Sequence, residues 1–349
     1  MSKRLQPWLA SPVKESVFIL APAIVPVALV IIFQNYFLKH QEVSSLWWIT
    51  LVLCIDVSHV YSTLFRLYWD KPTFRKYRTT LTWIPLLGLV VGFALHYYDP
   101  MIFWRTLAYV AVFHFIRQQY GFLRLYARKE KAGRFSKTLD TVAIYNATLY
   151  PLLYWHIHLT GKLSWFVAGD FIALEADQAD LFFKAVFVII MIAYIVKECW
   201  HSYKNSLLNI PKNMIMLGTY ASWYVGIILF EGDLIFTLLN VVAHGIPYMG
   251  LIWIYGEKKS TGKFSFTLKG VFIFLAALFA LAYFEESIWD MFVWKDHPDI
   301  FPFLTNASPL TNPVAISILV SVLVLPQITH YILDGFIWRL SKDAEARID

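Results

Sequence analysis

Apolar runs of about 20 residues recur along nearly the whole chain, each long enough to cross the hydrocarbon core of a bilayer as one helix. No polar stretch between them is long enough to bury a core of its own. The chain has 349 residues, 58% of them hydrophobic and 15% charged, with mean hydropathy +0.54. That balance excludes an ordinary soluble domain. The expected fold class is therefore all-α, a single polytopic transmembrane bundle over 1–349.

Hydropathy and helix breakers place ten spans near 16–38, 46–68, 79–98, 102–126, 139–160, 181–203, 213–230, 234–256, 266–284 and 313–338. The bracketing loops test this parse. Lys3, Arg4 and Lys14 precede the first span, and Lys71, Arg75, Lys76 and Arg78 follow the second. Arg128, Lys129, Lys131, Arg134 and Lys137 follow the fourth, and Lys204 and Lys212 the sixth. Lys258, Lys259 and Lys263 follow the eighth, and Arg339, Lys342 and Arg347 the tenth. The alternate loops carry only Lys39, Lys162 and Lys295 and are otherwise acidic. Under the positive-inside rule every basic cluster falls on the cytoplasmic side, with both termini. The net charge of +6 is thus a topology signal and implies no nucleic-acid partner.

Several smaller features agree. The start of the chain has basic residues but no short apolar core with a cleavage site, and reads as a cytoplasmic tail. Cys54 and Cys199 both fall within spans, so no disulfide framework is indicated. Trp47, Trp48, Trp69, Trp104, Trp165 and Trp338 lie near span ends, where amphipathic rings favour the interface. Pro22, Pro26, Pro85, Pro151, Pro247 and Pro326 predict kinks. The outer loop 285–312, with Trp289, Trp294, Phe301 and Phe303, reads as a lid on the membrane surface.

Four histidines stand alone inside spans: His59, His114, His244 and His330. Ionisable groups in a membrane interior cost free energy, face the protein interior and mark function. Counted back from the cytoplasmic span ends at the helical rise, all four lie roughly 12–18 Å deep, in one layer. Each has a polar companion one helical turn away: Asp56 for His59, Gln118 for His114, Asn240 for His244, and Gln327 and Asp334 for His330. Such companions suit the hydrogen bond that a metal-bound imidazole makes through its other nitrogen. Asp56 and Asp334 are also candidate ligands themselves. Nitrogen and oxygen donors together suit iron, one or two ions, or manganese, with zinc as a further option. Paired axial histidines leave haem open as well. His156 and His158 point in different directions at the outer end of the fifth span and read as interfacial. His40, His96, His201 and His297 read as bystanders, and Arg117 as an anchor for an anionic headgroup.

Single histidines on separate spans distinguish this chain from membrane desaturases and hydroxylases, whose H-x-x-x-H and H-x-x-H-H boxes are absent. The placement of His59, His114, His244 and His330 resembles the bacterial Brp/Blh membrane dioxygenases, which cleave β-carotene to retinal. The resemblance implies a polytopic protein with iron-binding histidines on several spans. The resulting expectation is a metal-dependent oxygenase in a bacterial inner membrane. Its partners would be membrane lipids, dioxygen and a lipid-soluble substrate: a fatty-acyl, sterol-like or isoprenoid compound. A proton-coupled transporter or channel using the same buried layer, and a haem-binding electron-transfer protein, are the alternatives. No protein partner is indicated.

Overall fold

The computed structural model describes residues 6–160, 162–259, 267–302 and 310–337. Lys3, Arg4, Lys263, Phe303, Trp338, Arg339, Lys342 and Arg347 lie outside the described residues. Within them the fold is all-helical, with no strand beyond one isolated bridge between Thr160 and Leu163. The main helices are α1 (Pro12–Ile32), α2 (Ser45–Tyr68), α3 (Arg78–Tyr98), α4 (Pro100–Tyr126), α5 (Arg134–Tyr154) and α6 (Asp177–Asn205). They continue with α7 (Ile210–Trp223), α8 (Asp233–Lys259), α9 (Leu268–Trp289), α10 (Pro313–Leu323) and α11 (Leu325–Ile337).

Among the described residues each predicted span falls mostly on helix, but not every helix is a membrane-spanning one by length and apolarity. Among the described residues α1, α2, α3, α6, α8 and α9 are long and apolar enough to cross a bilayer. A seventh span is reached when α10 and α11 count together, bent by 41° at their junction. Pro326 explains that bend, because it lacks the N–H that would bond the carbonyl one turn back. Helix α7, at 14 residues, is too short by itself, and α4 and α5 fall short in apolarity. They carry buried polar residues: His114, Gln118 and Gln119 on α4, Asp140, Asn146 and Thr148 on α5, and Lys212, Thr219 and Ser222 on α7.

The chain divides into two compact units. One comprises Met1–Glu42, Val112–Pro247 and Leu340–Asp349, the other Val43–Ala111 and Tyr248–Arg339. In the first, α1 and α7 approach so closely that a Cβ on Gly218 would stand 2.6 Å from that of Ala23. Small residues at such a crossing let two backbones pack where lipid supplies no hydrophobic drive. α6 packs on α5 but has only 11% of its apolar window buried, so it offers most of its surface outward. At one end of this unit Lys212, 0% exposed, is clasped by Glu198 at 2.6 Å and Glu130 at 2.9 Å. Lys197 bridges Asp140 and Glu198 in the same cluster. Nearby, the buried Glu15 carboxylate accepts from the amides of Leu9 and Ala10 and from the Tyr126 hydroxyl at 2.9 Å.

In the second unit α3 packs on α10 and α11. Gly88 faces Ile328, whose Cγ2 would meet an added Cβ at 3.1 Å, and His96 Nδ1 lies 2.9 Å from Ser317 Oγ. Leu53 and Val57 of α2 pack on Ala282 of α9. Wide π-helical turns run through Trp48–Val57 and Leu64–Tyr68, which shifts the angular phase of the side chains on α2. The predicted lid is corrected here. Helix continues beyond residue 284 to Trp294, and Trp289 and Phe301 are buried against Trp294, Tyr283 and Trp48. Apolar aromatic rings found a protein surface to cover, which removes more area from water than lying at an interface.

Candidate metal centre

In the second unit α2 brings His59 against His330 of α11. The rings meet edge to face with centroids 4.9 Å apart, and both residues are 1% exposed. His59 Nδ1 lies 3.3 Å from the Ile55 carbonyl and 3.7 Å from Asp56 Oδ1. A carbonyl can only accept, so this contact places the proton on Nδ1 and leaves Nε2 as the lone-pair donor. His330 Nδ1 lies 2.8 Å from Thr63 Oγ1, which is itself 3.2 Å from the Tyr248 hydroxyl. Tyr248 also packs edge-on against both rings, at 5.9 Å from His59 and 4.7 Å from His330.

In the first unit His114 of α4 meets His244 of α8 in the same way, edge to face at 4.9 Å, with exposures of 2% and 0%. Phe115 stacks flat on the His244 ring at 3.6 Å and 11°, which fixes its plane. Gln118 Nε2 donates to the His244 main-chain oxygen at 2.9 Å. Each unit thus holds one buried pair of histidines, His59 with His330 in the second and His114 with His244 in the first.

The polar companions bond as follows. Gln118 bonds a backbone oxygen and Asn240 Nδ2 bonds the Phe236 carbonyl at 3.0 Å, each by its amide nitrogen. Gln327 Nε2 turns to Glu285 Oε1 at 2.7 Å. An i,i+4 spacing places two side chains on one helix face, but the amide then takes whichever acceptor the neighbouring helix offers. Asp56 stays beside His59 with its side chain 34% exposed, and Asp334 is buried one turn after His330. Thr63, Tyr248 and Phe115, which do contact the imidazoles, were not singled out by the sequence reading. Thr63 follows His59 by four and Tyr248 follows His244 by four, so the same turn spacing could have found them. Glu285 was missed too: it is 3% exposed and accepts from Tyr61 at 2.5 Å and Trp289 Nε1 at 3.2 Å. His156, expected at the interface, is buried, with Nδ1 2.7 Å from the Leu152 carbonyl and Phe171 packed edge-on.

Comparison with family models, with curated proteins and with solved structures finds no match for this chain.

Proposed function

We propose that this is a multi-pass membrane oxygenase, metal-dependent and acting on a hydrophobic lipid or isoprenoid substrate. In this reading the chain crosses a bacterial inner membrane ten times with both termini cytoplasmic, α4, α5 and α7 completing the set. The observations that carry the reading are the two buried histidine pairs, His59 with His330 and His114 with His244.

The donor set fits a transition metal. Four imidazoles suit iron, copper, nickel or zinc, whereas manganese would call on Asp56 or Asp334 as well. Ligand atoms around one tetrahedral ion stand about 3.4 Å apart, and within each pair rings 4.9 Å between centroids reach that by small side-chain rotations. Both described cysteines are exposed, so a thiolate structural zinc site is not what this donor set offers. Bound by His59, His114, His244 and His330, one or two iron ions would supply the redox chemistry for oxidising an apolar molecule with dioxygen.

The chain's own residues supply the rest. Ile55 holds the tautomer of His59, and Ile55 and Thr63 hold the ring orientations of His59 and His330 through Nδ1, a role worth much in metal affinity. Phe115 holds the plane of His244. Burial of all four imidazoles excludes water, which protects reactive species from side reactions.

The test is metal analysis of protein purified without oxygen and loaded with iron. The expected result is a stoichiometric transition metal that falls sharply in His59→Ala, His114→Ala, His244→Ala and His330→Ala, each still membrane-inserted. Protein that stays metal-free and colourless after loading ends the oxygenase reading. A Soret band would replace it with haem. A second reading, proton-coupled transport, draws on the buried Glu285 and its bonds to Tyr61 and Gln327. It predicts metal-free protein in which Glu285→Gln alters the pH dependence of uptake.

A further inference from the structure

A groove of about 310 Å³ runs between α5 and α6 in the first unit, lined by Tyr145, Leu149, Leu153, Phe183, Val186 and Ile190 among others. Its rim is open: Val142 and Leu149 are 41% and 45% exposed on the outward face. An apolar slot of this size has room for one extended hydrocarbon chain.

Two charged groups bond phenols of the groove wall: Asp180 accepts from the Tyr150 hydroxyl at 3.4 Å, and Arg117 is the one cation. Arg117 Nη1 donates to the Tyr145 hydroxyl at 2.8 Å, and its guanidinium lies 4.9 Å from the centre of the Tyr120 ring. Among the described residues no carboxylate pairs with Arg117. The guanidinium is always charged and presents five donors, so a neutral phenol and a ring face leave most of its capacity for an anion. Depth chooses the anion. Arg117 lies about 13 Å along the axis from the end of α4 at Tyr126, and Tyr145 about 16 Å from the start of α5 at Arg134. A bilayer phospholipid keeps its phosphate at the interface, well away from either. A free amphiphile is not held there.

We propose that this groove binds a single-chain, long-chain carboxylate, with the hydrocarbon between α5 and α6 and the carboxylate on Arg117. Arg117 follows His114 by three residues on α4, so both side chains leave one face of that helix. That such an amphiphile is the substrate of the proposed oxygenase rests on the metal reading; its binding does not.

The test uses the full-length protein in neutral phosphatidylcholine nanodiscs at pH 8, with radiolabelled palmitate and hexadecanol as probes. Palmitate is expected to bind at least about tenfold more tightly than hexadecanol, the worth of one hydrogen-bonded charge pair. Arg117→Gln should erase that difference, Arg117→Lys should keep part of it, and Leu149→Trp should weaken both probes by filling the groove. Equal binding of the two probes to the wild type overturns the proposal, and that comparison needs no variant to fold. Palmitate binding unchanged in both Arg117→Gln and Leu149→Trp overturns it as well. Displacement of palmitate by phosphatidylglycerol nanodiscs would assign Arg117 to a lipid headgroup instead. Metal content is measured on the same samples. Loss of the metal reading shows as metal-free protein that still selects palmitate, and loss of the groove as metal-replete protein that does not.

Discussion

Gln118 donates to the main-chain oxygen of His244, so the amide ties α4 to α8 instead of steering an imidazole. The bond acts on the backbone that carries His244, and the ring plane is set separately by Phe115. Gln118→Leu should therefore cost about 1 kcal/mol of stability, the ordinary worth of a neutral hydrogen bond. A lowered thermal midpoint with a normal metal-to-protein ratio is the expected outcome. Metal loss as severe as in His114→Ala would show that Gln118 orients the ligand directly.

Thr63 is expected to matter more for metal than for folding. Its hydroxyl is the contact to His330 Nδ1, and Thr63→Val keeps shape while deleting it. Loss of such a partner weakens metal affinity by about 10–100-fold. Chelator competition on the purified variant reads this directly, with Thr63→Ser expected to restore most of it. Unchanged affinity in Thr63→Val would remove the hydroxyl from the account of the centre.

The ten-span arrangement makes a separate prediction. Reporter fusions after residues 75, 131 and 260 should report cytoplasmic, and those after 170 and 295 external. An external signal at 131 would show that α4 or an earlier helix does not cross, and the shared depth of the four histidines would fall with it.

Lys212 supplies the stability test. Burial alone would lower its pKa, but Asp140, Glu198 and Glu130 more than offset that and raise it above the ordinary 10.5. A raised lysine contributes stability that is present below the unfolded value and lost as pH climbs through the folded one. Unfolding should therefore become easier only above about pH 10.4, on the alkaline side. Lys212→Met leaves buried carboxylates uncompensated and should cost about 3–5 kcal/mol at neutral pH. Chemical unfolding in detergent would check both, and a variant as stable as the wild type would mean that the cluster is wet and loosely held.

Helical segments were legible because apolar length is a strong signal, and among the described residues each predicted span falls mostly on helix. Their ends were not. Hydropathy stops the ninth span at 284 because Glu285 and Glu286 follow, yet helix runs on to Trp294 with Glu285 hydrogen-bonded inside. A satisfied carboxylate is tolerated where an unsatisfied one is not, and a hydropathy sum cannot tell them apart. The histidines were legible for the opposite reason, since isolated imidazoles in apolar runs stand out. Their true contacts, Thr63, Tyr248 and Phe115, are residue types that any packed helix contains.

The division into two units has a temporal side. The second unit is assembled from Val43–Ala111 and Tyr248–Arg339, and the bond between Thr63 and His330 joins positions 267 residues apart. Every described residue of the first unit has left the ribosome by Pro247. Helices α2 and α3 must therefore wait in the bilayer, His59 and His96 without their partners on α11 and α10, while the intervening chain is made and inserted. Half-made chains carry unsatisfied polar groups in lipid for that whole interval. Truncation before α10 should accordingly leave a protein that quality-control proteases remove, however well its first unit has folded.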